Sequence, residues 1–419
     1  MDVRTFPVLA ADDQRLVDRL AVATSRPAAR VLAYLLRRDA DDDLASVASR
    51  TAIGIGTGEH EKSVARALEA LRSADLVTKT TAKTAGSGRP PDRWAVRRPE
   101  AATVRTLYRH HARALLAQAE RLEGELSAAL PAESTAATGG TGSLAIGLNW
   151  EPNALHLPLF AARDALPDSP SLSFESYAGS RAVVAAVAAG DVDLGVAGAV
   201  TACRERRAGR EIVPVAVIFQ RSTVVLCALE GRFDEPFTSM AQLGGRRVGI
   251  PSGTETGLLA RFLLEQAGLA EAVDIVDLAG EERTALVSGE VDAVTGMSPD
   301  PGRLEREGHT VEVVAMAEQY PVYGPALIVH RETLERRRPL LERALTAVMA
   351  GRASATGQPA VDAVATSAGE TPAGVARTFE RAVERFDAGE TVRKRGWGWH
   401  TPDGWAGVRT ALSGVASRP

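Results

Sequence analysis

The residues with the clearest chemical potential lie in one short segment that follows a strand-like run. Asn149 and Trp150 come directly after the apolar residues of Ser143–Leu148, and Asn153 and His156 follow shortly afterwards. An aromatic plane beside polar side chains, at a strand end before a helix, is suited to holding a planar polar molecule in a cleft. No nucleophile and general base have a spacing that points to catalysis. We therefore predict a binding protein and not an enzyme, with no cofactor and no metal site.

The starts of two predicted helices supply further candidate ligand-binding residues. Gly179 and Ser180 precede one helix, and Ser252, Gly253 and Thr254 precede another. The unpaired backbone N–H groups at such starts, together with the hydroxyls, can hold an anionic or carbonyl oxygen. Ordinary helix capping is the alternative at each start. Because both halves of this region offer one, we predict that both contribute to a ligand site.

The elements that must position these residues occur twice. Ala188–Gly195 and Val287–Val294 are similar in sequence, and each reads as a helix end, a glycine stop, an acidic turn and a short buried strand. A duplicated α/β unit predicts two similar lobes that face one cleft, with the ligand at the carboxyl ends of the strands. The predicted fold class is therefore α/β and bilobal, as in solute-binding proteins.

Residues 1–98 are predicted to form a separate DNA-binding domain. Three helices, the last from about Glu59 to Ser73, precede a hairpin-like stretch from Lys79 to Arg98, with six basic residues and a single acid. This order resembles the winged helix-turn-helix of bacterial and archaeal regulators, and a basic hairpin favours contact with phosphates. The alternative is a small helical domain for protein contacts. The candidate DNA-binding residues are Lys62, Arg66, Lys79, Lys83, Arg89 and Arg93.

The helices of this domain are predicted in some detail. Asp41 to Asp43 offer an N-cap for a second short helix through Ser49. Gly54, Gly56 and Gly58 lie at the wrong distance from Lys62-Ser63 for a phosphate-binding loop. We predict instead that these glycines form a flexible turn between helices.

Residues 99–130 are predicted to form a connecting helix. Its apolar residues keep the a and d spacing of a heptad repeat, which favours a two-stranded coiled coil and hence a homodimer. The alternative is an amphipathic helix packed on its own domain. A flexible linker over 131–142 and a ligand-binding domain over 143–419 follow. The seam residues are Tyr108, Ala112, Leu115, Ala119, Leu122, Leu126 and Ala129.

Bulk properties restrict the class of protein further. A chain of 419 residues is expected to hold two or three domains. Charged residues interrupt Met1–Leu20, and no long apolar run occurs elsewhere, so we predict a cytoplasmic protein with no membrane partner. Cys203 and Cys227 have no metal-ligand spacing and are predicted to be buried thiols.

The motif Leu148-Asn149-Trp150-x-Pro152-Asn153-x-x-His156 resembles the opening of the thiamine-pyrimidine group, which includes formylaminopyrimidine-binding proteins and the fungal hydroxymethylpyrimidine phosphate synthases. The resemblance extends from about Ser143 to Leu412. It continues through Val248–Thr254, Ser288–Val294 and Trp397-Gly398 with Asp403 and Trp405, motifs that alkanesulfonate- and nitrate-type binding proteins share.

This resemblance implies a type II periplasmic-binding-protein fold and an aminopyrimidine-like ligand stacked on Trp150, with Tyr323 as a second aromatic. A core or hinge role is the alternative for both aromatics, and His156 either bonds the ligand or satisfies a helix terminus. In the synthases a lysine and a histidine of the chain take part in the reaction. Ala197 and Thr201 stand at those positions here, and the cysteine-rich iron motif is missing.

We therefore expect a ligand-responsive transcriptional regulator that has DNA and a small molecule as partners. The two alternatives are an enzyme of pyrimidine synthesis and the substrate-binding component of an importer. The missing lysine, histidine and cysteines argue against the first, and the missing leader sequence argues against the second.

Overall fold

The computed structural model describes residues 8–81, 92–126, 142–278, 280–387 and 389–415. The helices are α1 Gln14–Ala21, α2 Arg26–Asp39, α3 Arg50–Thr57, α4 Glu61–Ser73, α5 Glu100–Leu126, α6 Leu157–Ala162, α7 Ser180–Ala189, α8 Ala199–Arg207, α9 Glu255–Gln266, α10 Glu282–Ser288, α11 Asp300–Arg306, α12 Met316–Gln319, α13 Arg331–Arg336, α14 Arg338–Ala353, α15 Gln358–Ala368, α16 Pro372–Ala382, α17 Glu390–Arg395 and α18 Pro402–Val415. The strands are β1 Ala48–Ser49, β2 Val77–Thr81, β3 Asp92–Val96, β4 Ser143–Leu148, β5 Ser171–Ser176, β6 Leu194–Gly198, β7 Ile212–Val217, β8 Val224–Leu229, β9 Arg247–Gly249, β10 Asp274–Val276, β11 Ala293–Met297, β12 Val311–Ala315 and β13 Pro325–His330.

The N-terminal domain packs α1 to α4 against a small antiparallel sheet of order β1-β3-β2. The hairpin strands predicted after the last helix are present, and Val77 pairs with Val96 while Thr81 pairs with Asp92. The tip between them, with Lys83 and Arg89, lies outside the described residues. Two local predictions were wrong: the segment through Ser49 ends in strand β1, and the glycines after it lie in and just after helix α3. Ser49 begins that helix, because its hydroxyl accepts the Ala52 N–H at 3.2 Å.

The C-terminal part of the chain forms two lobes, each built on a five-stranded sheet. Lobe 1 has the order β5-β4-β6-β13-β7, and lobe 2 has the order β10-β9-β11-β8-β12. In lobe 1 strands β4, β5 and β6 run parallel, and in lobe 2 strands β9, β10 and β11 do the same. The chain crosses between the lobes twice, after β7 and before β13. These crossings, residues 218–223 and 320–324, form the hinge.

The repeated sequence unit folds in the same way in both lobes. Helix α7 ends at Gly190 and helix α10 at Gly289, and both glycines have the positive φ that other residues avoid. The aspartates after them also act alike. The Asp193 carboxylate accepts the Ala145 N–H of strand β4, and the Asp292 carboxylate accepts an N–H of strand β9, each at 2.9 Å. The acidic turn therefore joins neighbouring strands and is structural.

The connecting helix α5 packs on its own chain, against α14 and β7. The described seam residues from Tyr108 to Leu122 are buried in this way within one molecule. The predicted coiled coil is therefore wrong for this seam, because its apolar face is already covered by lobe 1. Ala129 and the linker residues 131–141 lie outside the described residues.

The C-terminal segment joins the parts of the molecule. Helix α18 packs against α8 of lobe 1 and α9 of lobe 2. Trp397, with 1% of its surface exposed, donates its indole N–H to the hinge carbonyl of Ile218 at 3.0 Å. Its backbone N–H donates to Val22 of the N-terminal domain at 2.7 Å. Its carbonyl accepts from His111 of the connecting helix, also at 2.7 Å.

Candidate functional site

The candidate site lies where the carboxyl ends of the parallel strands of the two lobes face each other. Asn149, Ser180 and Thr201 follow β4, β5 and β6 at the edge of lobe 1. In lobe 2 the loop Ser252–Thr254 follows β9, and Ser298 follows β11 at the same edge. Ligands of open α/β sheets bind outside such strand ends. The geometry therefore brings most of the predicted residues to one interface between the lobes.

A polar network lines the edge of lobe 1. The Nε2–H of His156 donates to the Asn149 side-chain oxygen at 3.1 Å, and the amide of Asn149 donates to the Ser180 hydroxyl at 3.5 Å. The Ser180 oxygen also accepts the Gly198 N–H at 2.9 Å. Because that oxygen accepts twice, its own proton remains to be donated. Asn149 and Ser180 can therefore present N–H and O–H donors to a ligand.

His156 supports this network from behind. It is buried, and burial lowers the pKa of its imidazole to about 4. Its Nδ1 accepts the backbone N–H of Asn153 at 3.4 Å, which leaves the proton on Nε2 for Asn149. The Asn153 side chain accepts the Leu155 N–H at 3.0 Å and so caps the following turn. The structure thus places His156 and Asn153 in positioning roles.

Trp150 and Tyr323, the two predicted aromatic contacts, have different surroundings. Trp150 is 50% exposed, so its ring is available to a ligand without rearrangement of the core. Tyr323 is buried, stacks edge-on against Trp405 and accepts the backbone N–H of Thr401 at 3.1 Å. These contacts support the alternative of a core or hinge role for Tyr323, because its ring and hydroxyl hold the start of helix α18 in place.

The glycine-containing loop of lobe 2 approaches lobe 1 directly. Thr254 caps α9 by accepting the Gly257 N–H at 3.0 Å, as a plain capping residue does. The carbonyl of Gly253 accepts from the Arg204 guanidinium of α8 at 3.3 Å. Ser252 is exposed and its backbone N–H donates to Asp277 at 3.2 Å. Gly179, at the start of α7, has a positive φ of 95° and leads into Ser180.

Glu255 of lobe 2 contacts lobe 1 directly. Its carboxylate oxygens accept the backbone N–H groups of Val200 and Thr201, at 3.1 and 2.7 Å. These are two of the unpaired N–H groups at the start of α8. The Glu255 side chain lies against Gly198, where a β-carbon would collide with it. Burial raises the pKa of this carboxyl above its ordinary value, although the hydrogen bonds from Thr201 and Val200 oppose the shift.

Sequence reasoning missed Glu255 and two hydroxyls, one at the hinge and one at the edge of lobe 2. The hydroxyls of Thr223 and Ser298 are buried and find no hydrogen-bond partner within the described part of the chain. They are neighbours, because the Ser298 N–H donates to the Thr223 carbonyl at 2.9 Å. Buried polar groups are rarely left unpaired, so a ligand or a bound water is expected to complete them. No local motif could have revealed a pair so far apart in sequence.

The predicted DNA-binding residues lie on the surface of the N-terminal domain. Lys62 and Arg66 are exposed on one face of α4, and neither takes part in an ion pair among the described residues. Lys79 pairs with Asp92 at 2.9 Å on the hairpin. Arg93 is partly buried on strand β3. Lys62 and Arg66 are therefore the most available cations of this set.

Both cysteines are buried thiols, as predicted. Burial raises the pKa of Cys203 to about 11 and also raises that of Cys227. The deprotonated, reactive form is therefore suppressed in both. Within the described residues, no helix has the length and apolar character that crossing a bilayer requires.

The two lobes, the hinge and the facing strand ends give the C-terminal part of the chain the bilobal α/β fold of periplasmic binding proteins. A family model described as NMT1/THI5 like matches residues 171–361. No curated protein matches the sequence.

Solved structures agree on the fold. A ligand-binding component of an ABC-type import system from Staphylococcus aureus is 14% identical, with a TM-score of 0.51 over 65% of this chain and 91% of that one. The Candida albicans CA3427 gene product, described as having the generic periplasmic binding protein fold, is 14% identical, with a TM-score of 0.50 over 66% and 92%. The periplasmic aliphatic sulphonate binding protein SsuA from Escherichia coli is 20% identical, with a TM-score of 0.49 over 57% and 83%.

Proposed function

We propose that this chain is a ligand-responsive DNA-binding regulator. Its solute-binding domain would sense a small molecule between the lobes, and its N-terminal domain would bind DNA as a winged helix. The observation that carries the proposal is helix α8, which spans from the lobe interface to the connecting helix. Its Thr201 end bonds Glu255 of lobe 2, and its Arg206 end pairs with Glu123 of α5 at 2.6 Å.

The connecting helix continues this path to the N-terminal domain. Glu123 also pairs with Arg331 of lobe 1, so three elements meet at one carboxylate. At the other end of α5, the Tyr108 hydroxyl donates to the Arg19 carbonyl of α1 at 2.8 Å. A ligand that moves lobe 2 relative to α8 would therefore change the position of α5 and of the domain attached to it. Such differential contacts are what allosteric coupling requires.

DNA binding is supported by the order of elements in the N-terminal domain. Helices α2, α3 and α4 precede the β2–β3 hairpin, and α4 presents Lys62 and Arg66 to solvent. In winged helix proteins the corresponding helix enters the major groove. Glu59 does not oppose this approach strongly, because it pairs with Arg30 of its own domain at 3.4 Å. A homodimer, if it forms, has to use a surface other than the buried seam of α5.

An aminopyrimidine-like ligand is supported by the thiamine-pyrimidine motif and by the NMT1/THI5-like match over 171–361. Trp150 offers an exposed ring for stacking, and Asn149 and Ser180 offer hydrogen-bond donors. The non-enzymatic role is supported by Ala197 and Thr201, which replace the lysine and histidine of the synthases.

The second candidate function is the substrate-binding component of an importer. The comparison with the Staphylococcus aureus import component favours it, since the fold is shared. The comparisons give no support to DNA binding or to the cytoplasmic location that we predicted. DNA binding is the property that separates the two candidates.

Selection of duplexes from a random library by the purified full chain tests the regulator proposal. We expect a recurrent sequence to be enriched and the double variant Lys62→Glu with Arg66→Glu to lose it, since base and phosphate contacts would be replaced by repulsion. Arg336→Glu, on the surface of α13, is the matched control and should bind as the wild type does. Failure of the wild type to enrich any sequence would favour the importer component.

Thermal unfolding with hydroxymethyl- and aminomethyl-pyrimidines, thiamine and small sulfonates tests the ligand class. A specific ligand at about 100 times its Kd stabilises the folded state by about 2.7 kcal/mol. Trp150→Ala should weaken the response at least severalfold, because ring stacking contributes about 0.5–1.5 kcal/mol beyond the area buried. An unchanged Kd in that variant would remove Trp150 from the site.

A further inference from the structure

The start of helix α8 is a natural position for an anion, and in this molecule a side chain of the protein already occupies it. The unpaired N–H groups and the helix dipole at such a start favour a negative charge. Both Glu255 oxygens are engaged there, by Val200 and Thr201. The contact with Gly198 shows how closely the side chain fits.

The arginine whose charge acts on Glu255 in the described structure is already engaged by other groups of the protein. This residue, Arg204, is held by the carboxylate of Glu205 at 3.2 Å and by the carbonyl of Gly253 at 3.3 Å. A ligand anion at the start of α8 would therefore meet the Glu255 carboxylate, and like charges close together are unfavourable in a desolvated cleft.

We propose that Glu255 determines ligand specificity by filling the anion position of the cleft, so that the domain rejects sulfonates, carboxylates and phosphates and accepts neutral or cationic molecules. The inference rests on the proposed ligand-binding function of the cleft and is independent of DNA binding. The ligand class inferred for this domain therefore differs from that of receptors that bind their ligand through an anionic group. It also agrees with an aminopyrimidine, which carries no anionic group.

Calorimetric titration of the full chain with methanesulfonate, against sodium chloride of equal ionic strength, tests this inference. The Kd of the wild type for methanesulfonate should be at least about tenfold higher than that of Glu255→Ala, since the vacated N–H groups of the variant need an acceptor. Glu255→Gln should lie between them, because a neutral acceptor bonds more weakly than a carboxylate. Glu265→Ala, at the far end of α9, is the matched control and should behave as the wild type does.

Two results would overturn the inference. The first is methanesulfonate binding by the wild type as tight as that of Glu255→Ala, and the second is no gain of binding in either Glu255 variant. Far-UV circular dichroism checks that each variant is folded, and if the alanine variant is not, the nearly isosteric glutamine variant carries the test. Because neither DNA nor a pyrimidine enters the experiment, a failed regulator proposal would not affect its outcome.

Discussion

The replacement His111→Gln tests how the connecting helix is held to the rest of the molecule. His111 is buried on α5, and its Nε2–H donates to the Trp397 carbonyl at 2.7 Å. Burial lowers the pKa of this histidine to about 4, although the hydrogen bond to Trp397 opposes the shift. Glutamine can still donate an N–H to the same carbonyl but does not titrate. The substitution therefore removes the free-energy cost of keeping residue 111 unprotonated in the folded state at acidic pH. It keeps a hydrogen bond to the Trp397 carbonyl.

The sign and size of the effect follow from proton linkage. Between pH 6.5 and pH 4 the unfolded chain binds a proton at residue 111 and the folded chain does not, so the wild type loses stability as the pH falls through this window. With a pKa of about 4 in the folded state and about 6.5 in the unfolded state, the loss from His111 between pH 7 and pH 5 is about 2 kcal/mol. The stability difference between wild type and His111→Gln should shift by that amount, in favour of the variant at pH 5.

A difference between two proteins is needed because other buried groups also titrate. Burial lowers the pKa of His156 and His400 to about 4, and these add to the loss of stability in acid. Burial raises the pKa of the carboxyls of Glu255, Asp300 and Asp387. These acids increase the stability of the folded state as the pH falls, since they bind their protons at a higher pH in the folded state than in the unfolded state. Their contributions cancel when the variant is compared with the wild type.

Urea unfolding at pH 7 and pH 5, followed by circular dichroism, measures this difference. Gln118→Met is the control on the same helix, since it loses a 3.2 Å hydrogen bond to the His400 carbonyl and changes no titrating group. Its destabilisation should be the same at both pH values. A stability difference for His111→Gln that is equally independent of pH would refute the reasoning, because it would mean that His111 takes up a proton without cost in the folded protein.

Two further substitutions test the contacts that join the connecting helix and the hinge. Trp397→Phe should destabilise the chain by about 1–3 kcal/mol in urea unfolding at pH 7, because the buried carbonyl of Ile218 loses its donor. Trp399→Phe, at a partly exposed position, should cost less. Equal effects would contradict a stabilising role for the hydrogen bond from Trp397 to Ile218. Glu123→Gln should cost about 1–3 kcal/mol, because it weakens the charged hydrogen bonds to Arg206 and Arg331. Glu120→Gln, which breaks an exposed pair with Arg338, should cost less than about 1 kcal/mol. A reversed order would show that the Glu123 contacts are not stabilising.

Much of the fold was predictable because it follows from local rules. The glycine stops at Gly190 and Gly289 and the aspartates after them repeat at equivalent places in both lobes, and each acts through neighbours in sequence or in the adjacent strand. The polar residues after β4 were predictable for a similar reason, since strand ends in α/β folds face the cleft.

The remaining features depend on which surfaces meet, and local pattern does not determine that. The apolar stripe of α5 has the spacing of a coiled coil, but the same stripe serves equally well to cover lobe 1. Tyr323 is an aromatic residue at the hinge, and only the path of the C-terminal segment places Thr401 and Trp405 against it. Glu255 contacts residues more than 50 positions earlier in the chain, which capping rules do not anticipate.

The central claim is that ligand binding between the lobes changes DNA binding by the N-terminal domain. The most direct measurement is the fluorescence anisotropy of a duplex obtained by selection, titrated with the full chain at fixed salt, with and without a saturating hydroxymethyl-aminopyrimidine. A coupling of about 1–3 kcal/mol predicts that the two Kd values differ by about 5- to 150-fold. Equal Kd values, with the pyrimidine shown to be bound by its thermal shift, would contradict the claim.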